Sequence, residues 1–543
     1  MLVLNEKSLQ EKDTWESAGF VLPRFDRNTV KKHTLKSPGW VHFGAGNIFR
    51  AFIADIVQQL LNEGFSNTGI IVAEGYDEEI IDAAYTPYNN LCVNVVLKSD
   101  GNIDKEVLAS VVESLKMDID GFSRLKEIFV SSSLQVVSLT ITEKGYSLNK
   151  GDGSFYDDVA LDFKAGPAAP AGSAIPVSYM GKLAALCYHR FINGAAPLTL
   201  VSMDNVSQNG KCLHEVIHLF AQEWVNNGFC DSEFLAYVDD PDKLSFPWTM
   251  IDKITPSPSA DVAKHLRESG LQVSDVVITA KKTEVASFVN AEETGYLVIE
   301  DSFPNGRPPL EKAGVIMTNR ETVTKVEKMK VCTCLNPLHT SLALFGCLLG
   351  FKRVSEIMTD KDLIKLVKMV AEEGMPVVVD PGIISPEEFA ETVINVRLPN
   401  PFIPDTPQRI ATDTSKKVAV RFGETILAYS KSDSLDVHAL RAIPLSLAGW
   451  CRYLVGIDDE GDEFKLDPDP MLPELQAIFS ALTPGDGADY SIALKPLLLN
   501  ASIFGVDLYS VGVAERVAHY FQLLMAGAGA VRNVLNSLCS ENI

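Results

Sequence analysis

From Trp40 to Arg50 the chain passes from a strand-like run, Trp40-Val-His-Phe43, to a helical pattern through the two glycines of Gly44-Ala-Gly46. Phe49, Phe52, Ile53, Ile56, Val57, Leu60 and Leu61 then share one helix face, and Gly64 stands where a left-handed cap would end the helix. A strand, a tight glycine turn and a helix in this order carry the free N–H groups of a helix N-terminus to the carboxyl edge of a sheet, where negative charge is favoured. Residues 69–73, 135–142 and 198–203 read as further buried strands, each followed by a turn or a helix. That alternation predicts an α/β domain with a mainly parallel sheet.

The 543 residues suit two large domains. After Asp301-Ser-Phe-Pro-Asn-Gly-Arg-Pro-Pro309 the periodicity turns helical, as in 363–373, 385–396, 435–453 and 513–538. Ser385-Pro-Glu-Glu is a helix start, with a capping hydroxyl, proline at the first position and carboxylates at the positive dipole end. The boundary is expected between 314 and 330, giving an α/β domain over 1–320, with an N-terminal extension, and a mostly α-helical domain over 321–543. The segment AGPAAPAGSAIP, 165–176, marks a surface loop. A cleft between two such domains is a favoured place for a ligand.

Charge narrows the partners. Forty-eight Lys and Arg against 71 Asp and Glu leave a net −23, a field that repels nucleic acid and anionic membrane surfaces, so an anionic ligand needs a local cationic cluster. The first seven residues lack the basic and apolar regions of a signal peptide, and apolar runs such as 341–351 fall short of the ~18 residues of a membrane span. Nine scattered cysteines form no disulfide framework, and Cys332-Thr-Cys334 reads as packing or strand residues rather than a metal site. The expectation is a soluble cytoplasmic protein with reduced thiols, monomeric or a small homo-oligomer, holding no metal.

On the nucleotide reading, a pyrophosphate lies against Gly44, Gly46 and Asn47 on the helix N-terminus, and Arg50 adds a cationic contact. Glu74, thirty residues after Gly44 at the end of the next strand, can accept hydrogen bonds from a ribose and repel a 2′-phosphate, which favours NAD(H) over NADP(H). Phe49 occupies the place of the usual third glycine, so by motif alone an ordinary strand–turn–helix connection stays open beside the dinucleotide site.

Val41-His-Phe-Gly-Ala-Gly-Asn-Ile-Phe-Arg50 is followed in order by Thr140-Ile-Thr-Glu-Lys-Gly-Tyr146, Ser202-Met-Asp-Asn-Val206, Phe246-Pro-Trp-Thr-Met-Ile-Asp-Lys-Ile-Thr-Pro256 and Val298-Ile-Glu-Asp301. Asn336-Pro-Leu-His339, Asn400-Pro-Phe-Ile403 and Arg409-Ile-Ala-Thr-Asp-Thr-Ser-Lys-Lys417 complete the series. Over roughly 38–455 this series resembles the polyol-specific long-chain dehydrogenases, the mannitol dehydrogenase family. The resemblance implies a Rossmann-type domain and metal-independent exchange of a secondary alcohol with a ketose carbonyl, using NAD(H), on an open-chain sugar acid or polyol. It implies that Asn336 and Asn205 polarise the carbonyl, His339 orients a substrate hydroxyl, Lys330 exchanges the proton, and Arg409 and Lys417 meet the far end of the substrate.

One departure concerns the lysine. The resemblance implies five residues from Lys to Asn, whereas Lys330 precedes Asn336 by six and Val331 holds the strict position. On a continuous α-helix one extra residue turns the side chain by about 100°. A π-bulge, or a non-helical stretch ending at Asn336, restores the direction, and Lys328 is the fallback.

His214-Glu-Val-Ile-His218 fits H-E-x-x-H, the pattern of a zinc hydrolase in which two histidines one turn apart hold the metal and the glutamate is the base. Glu233 is the nearest candidate third ligand downstream, while Leu213, Val216, Ile217 and Phe220 give the same helix an ordinary apolar face.

Overall fold

In the computed structural model, which describes residues 1–168, 173 and 175–539, six strands organise the first half of the chain. They are β1 (Trp40–Phe43), β2 (Ile70–Glu74), β3 (Val111–Lys116), β4 (Val136–Leu139), β5 (Leu198–Ser202) and β6 (Leu244–Ser245). They pair in the order β3-β2-β1-β4-β5-β6, every neighbour parallel. All residues of β1, β2, β4 and β5 are buried, which is why these strands read as unbroken apolar runs: helices cover both sheet faces. This is the strand order of a dinucleotide-binding Rossmann domain, whose ligands lie beyond the carboxyl ends of β1, β2 and β4.

A four-stranded sheet adds to this unit, with Cys92–Leu97 antiparallel to Ile103–Leu108 and parallel to Phe288–Glu292, and with Phe20–Val21 at its edge. The sequence periodicity does not foretell it, because Phe288–Glu292 joins Cys92–Leu97 from nearly 200 residues further along the chain. The predicted loop over 165–176 lies partly outside the described residues. The helix after the glycine turn continues as α1 (Ala54–Asn62), and Gly64 caps it at φ +73°.

The chain divides into one unit of Met1–Lys98 with Asn102–Thr324 and another of Ser99–Gly101 with Lys325–Ile543. The first unit also contains α2 (Asn209–Asn226) and α3 (Ser232–Asp239). The division falls inside α4 (Arg320–Met329), after which α5 (Asn336–Leu348) forms the centre of the second unit. Residues 340–348 of α5 are all buried, since the helix packs on α6 (Lys361–Gly374), Pro407–Ala411 and Ala442–Tyr453. By length and composition Arg320–Leu348 could cross a membrane, which unbroken apolar runs do not reveal because Asn336, His339 and Thr340 interrupt them without adding charge; 72% of its apolar window is buried inside the protein, as in a core helix.

Two predicted helices are shorter than expected. Pattern 513–538 is two helices, Ala514–Leu524 and Ala530–Cys539, separated where Gly527 and Gly529 take φ +124° and +78°. Pattern 435–453 becomes α-helical only at Ala442. Ser385 caps its helix through the Glu388 amide at 3.2 Å. Cys332 and Cys334 lie in a π-helical turn rather than a strand, and all eight described cysteine side chains are free thiols.

Candidate functional site

At the carboxyl ends of β1, β2 and β4 a cavity of about 500 Å³ opens, lined by Gly44, Gly46, Glu74, Tyr76, Asp77, Thr140, Thr142 and Tyr179 among others. Gly44 takes φ +106°, and a Cβ there would be driven into the Thr140 carbonyl oxygen, so the close approach of the chain after β1 to the chain after β4 needs glycine. Gly46 differs: a Cβ there would meet nothing within 4 Å, so its missing side chain keeps the helix N-terminus open to the cavity. Asn47 Oδ1 beside it and the cavity-lining Tyr179 hydroxyl are buried without a hydrogen-bond partner. An open cradle at a helix N-terminus, with orphaned polar atoms around it, fits a diphosphate-bearing ligand.

Glu74 and Arg50 lie differently from the sequence reading. Glu74 lines the cavity, but its Oε1 accepts the amides of Gly75, Tyr76 and Asp77 at 2.8–3.1 Å and its Oε2 that of Ala45 at 2.7 Å. The carboxylate therefore clamps the glycine loop to the end of β2 as well as presenting negative charge. Arg50, expected as a cationic contact to phosphate, is 2% exposed and turns inward. Its Nη2 donates to the Ala286 carbonyl at 2.7 Å and to Cys92 Sγ at 3.0 Å, because its helix face packs on Cys92–Leu97 and Phe288–Glu292.

Residues without an assigned role in the sequence reading hold the opposite wall. Asp204 accepts the amides of Ile141 and Thr142 at 3.0 and 2.8 Å and the Tyr146 hydroxyl at 2.6 Å. Thr142 sits at φ +64°, a left-handed conformation that a β-branched residue rarely takes, and this carboxylate fixes it there. Asn205 follows on an exposed turn after β5. The signal was present in Thr140-Ile-Thr-Glu-Lys-Gly-Tyr146 and Ser202-Met-Asp-Asn, whose spacing gives no hint that Asp204 bridges them.

His42, on β1 beneath the glycine turn, is fully buried, with Nδ1 2.6 Å from Ser138 Oγ and Nε2 2.8 Å from Thr140 Oγ1. Burial lowers its pKa to about 3. The unfolded chain, with an ordinary histidine near 6.5, then binds the extra proton between the two values, so this contribution to stability is present above pH 6.5 and is lost as pH falls towards 3. Unfolding midpoints of the wild type are expected to drop steeply over that interval, and those of His42→Gln less steeply; equal slopes would remove His42 as the cause.

In the second unit, Lys330 is 5% exposed and opens a π-helical turn, Lys330–Cys334, in which the Leu335 amide donates to the Lys330 carbonyl at 3.1 Å. Such a turn absorbs one residue of helix register, the surplus between Lys330 and Asn336. Asn336 starts α5 just before Pro337. His339, one turn on, is held neutral: burial pushes its pKa down and Asp405, whose Oδ2 lies 3.7 Å from Nε2, opposes this, while Arg421, Arg409 and Arg397 add to the lowering. Nε2 is buried without a hydrogen bond.

The two cations expected near the substrate's far end both have protein partners. Arg409, with 67% of its side chain exposed, pairs with Asp405, and Lys417 donates to the carbonyls of Ile410 and Thr412. Burial lowers the Lys417 pKa, and Arg421 adds to the effect. Arg421, missed in the sequence, donates to Thr340 Oγ1 on α5, and burial lowers its pKa to about 10. Its place four residues after Lys417, one helical turn on, was the available clue, and the structure sets it in another π-helical turn, Ala419–Gly423. His339, Asp405, Arg409 and Arg421 thus form a polar cluster around the start of α5.

An open glycine cradle on a Rossmann-type unit, and a helical unit bearing a buried lysine, an amide and a cation-rich histidine cluster, are the parts that a dinucleotide-dependent oxidoreductase requires. The chain belongs to the mannitol dehydrogenase family: the Mannitol dehydrogenase Rossmann domain matches residues 38–312, and the Mannitol dehydrogenase C-terminal domain matches 322–524. It is 50% identical over 539 residues, 98% of both chains, to a D-mannonate oxidoreductase of Thermotoga maritima. It is 28% identical to a mannitol 2-dehydrogenase of Emericella nidulans, over 93% of both chains. Among solved structures, the ternary complex of Pseudomonas fluorescens mannitol 2-dehydrogenase with NAD and D-mannitol matches 99% of this chain and 100% of that one, with a TM-score of 0.69 and 25% identity. A substrate-free D-sorbitol dehydrogenase matches 95% of this chain and 98% of that one, with a TM-score of 0.77 and 25% identity.

Proposed function

We propose that this chain is an NAD(H)-dependent D-mannonate oxidoreductase, interconverting D-fructuronate and D-mannonate. The observation that carries the reading is the identity of one residue in two, along nearly the whole chain, with the Thermotoga maritima enzyme of that name.

In this reading the first unit binds the dinucleotide with Gly44, Gly46 and Asn47 at the diphosphate. Glu74 lines the same cavity, and its negative charge supports NAD(H) over NADP(H). When bound, the nicotinamide supplies or accepts the two electrons of the interconversion. Lys330 takes the hydroxyl proton during oxidation and returns it during reduction. Asn336 donates from its amide to the carbonyl oxygen, and Asn205 has the same role on the first unit. Neutral His339 orients a substrate hydroxyl, since a lowered pKa keeps one ring nitrogen free to accept. Arg409 and Lys417, with Arg421 beside them, give the uronate carboxylate the cationic surroundings that a protein of net −23 must supply locally.

The test is NADH oxidation by the chelator-treated protein offered D-fructuronate, D-tagaturonate and D-fructose in parallel. Fructuronate is expected to turn over fastest; preference for tagaturonate or fructose would move the chain to another branch of the family and overturn the assignment. Arg409→Gln is expected to raise KM for fructuronate by about tenfold or more, the loss of one charge-assisted hydrogen bond of about 1.5–3 kcal/mol, with little change for fructose. An equal rise for both substrates would remove Arg409 from carboxylate recognition.

A further inference from the structure

His214 and His218 stand one turn apart on α2, and the chain brings Asp239, the last residue of α3, against both. His214 Nε2 lies 3.0 Å and His218 Nδ1 2.8 Å from the same oxygen, Asp239 Oδ1. We propose that these three side chains form a transition-metal site for Zn²⁺, Co²⁺ or Ni²⁺ on the surface of the first unit, separate from the dinucleotide cavity, that braces α2 to α3.

The donor set argues for this class of metal. Two imidazole nitrogens and a carboxylate oxygen suit borderline divalent ions and leave the fourth position of a tetrahedron to water. Metal–ligand bonds of 2.0–2.1 Å put tetrahedral neighbours about 3.3 Å apart, so the N···O separations need to open only by a few tenths of an ångström. The three ligand atoms already lie within 4.8 Å of one another, and all three side chains are more than a third exposed, so the metal has an open approach and the donors can adjust. Phe246 holds the His214 ring from behind, with centroids 4.9 Å apart, which limits the freedom lost on binding. Each neutral imidazole offers its lone pair by shifting its proton to the other ring nitrogen.

The same geometry removes the hydrolase expected of H-E-x-x-H. The third ligand is Asp239 and not Glu233. Glu215 is 61% exposed and lies 3.7 Å from Lys211, so nothing holds it over a metal-bound water as a base. The site is structural.

The test uses tag-free, chelator-treated full-length protein titrated with CoCl₂ and, separately, ZnCl₂. The expected result is saturable binding of one equivalent, visible d–d bands from cobalt without the near-ultraviolet band of sulfur ligation, and a metal-dependent rise in the unfolding temperature. His218→Ala and Asp239→Asn are each expected to abolish all three, and Glu215→Gln to leave them intact. Circular dichroism checks that the variants fold, and Asp239→Asn keeps the shape of the side chain should His218→Ala not fold. Sulfur charge transfer, absence of saturable binding, or cobalt bound by Asp239→Asn as by the wild type would overturn the proposal.

Discussion

Lys330→Met is expected to lower kcat for NADH-dependent reduction of D-fructuronate by about 10²–10⁴-fold, the contribution of a positioned acid/base, while the dissociation constant for NADH stays unchanged. Methionine keeps the length and the apolar stem and removes only the proton-exchanging nitrogen. The side chain is buried, whereas Lys328, two residues earlier, is exposed. An acid/base acts from a fixed position within hydrogen-bond reach of the reacting hydroxyl, and an exposed side chain in open solvent is not held there. Lys328→Met is therefore expected to leave kcat unchanged. A loss of rate in Lys328→Met with normal turnover in Lys330→Met would transfer the role to the fallback residue. Because the substitution affects the chemical step and not cofactor binding, NADH fluorescence titration beside steady-state rates separates a catalytic loss from a folding defect.

The π-helical turn at Lys330 shows where sequence reasoning stopped. Counting residues from Lys330 to Asn336 revealed a surplus of one and named a π-bulge among the remedies, but spacing alone cannot say which remedy the chain uses. That choice depends on packing around Thr333 and Cys334, both buried by other helices of the unit. The strand–glycine–helix start at Trp40, the buried strands near 70, 136 and 198 and the helical second half were legible because each rests on local periodicity and turn chemistry. The order β3-β2-β1-β4-β5-β6 was not, since strand neighbours are chosen by long-range packing. The same distinction runs through the site. Gly44 and Gly46 follow from a local turn, whereas the inward direction of Arg50 depends on Ala286, 236 residues away, and Asp239 reaches His214 from a different helix.

Gly46→Asp is expected to weaken NADH binding by about 100-fold or more, with the unfolding temperature near that of the wild type. The cost is a carboxylate brought against the cofactor's diphosphate, where like charges at close range oppose each other by several kcal/mol. The fold tolerates the side chain because a Cβ at Gly46 meets nothing within 4 Å and no positive φ has to be relieved. Two residues earlier the same experiment has the opposite outcome. Gly44→Ala pushes a methyl group into the backbone of Thr140 and strains a residue at φ +106°, so it is expected to cost about 2–6 kcal/mol of stability before any cofactor is present. The pair therefore separates two tasks that one glycine motif combines: Gly44 lets the turn after β1 pass close to Thr140, and Gly46 leaves room for the ligand. Titration of NADH fluorescence and thermal unfolding of both variants checks this. Normal NADH affinity in Gly46→Asp would exclude the cavity at the ends of β1, β2 and β4 as the cofactor site, whatever Gly44→Ala does to the fold.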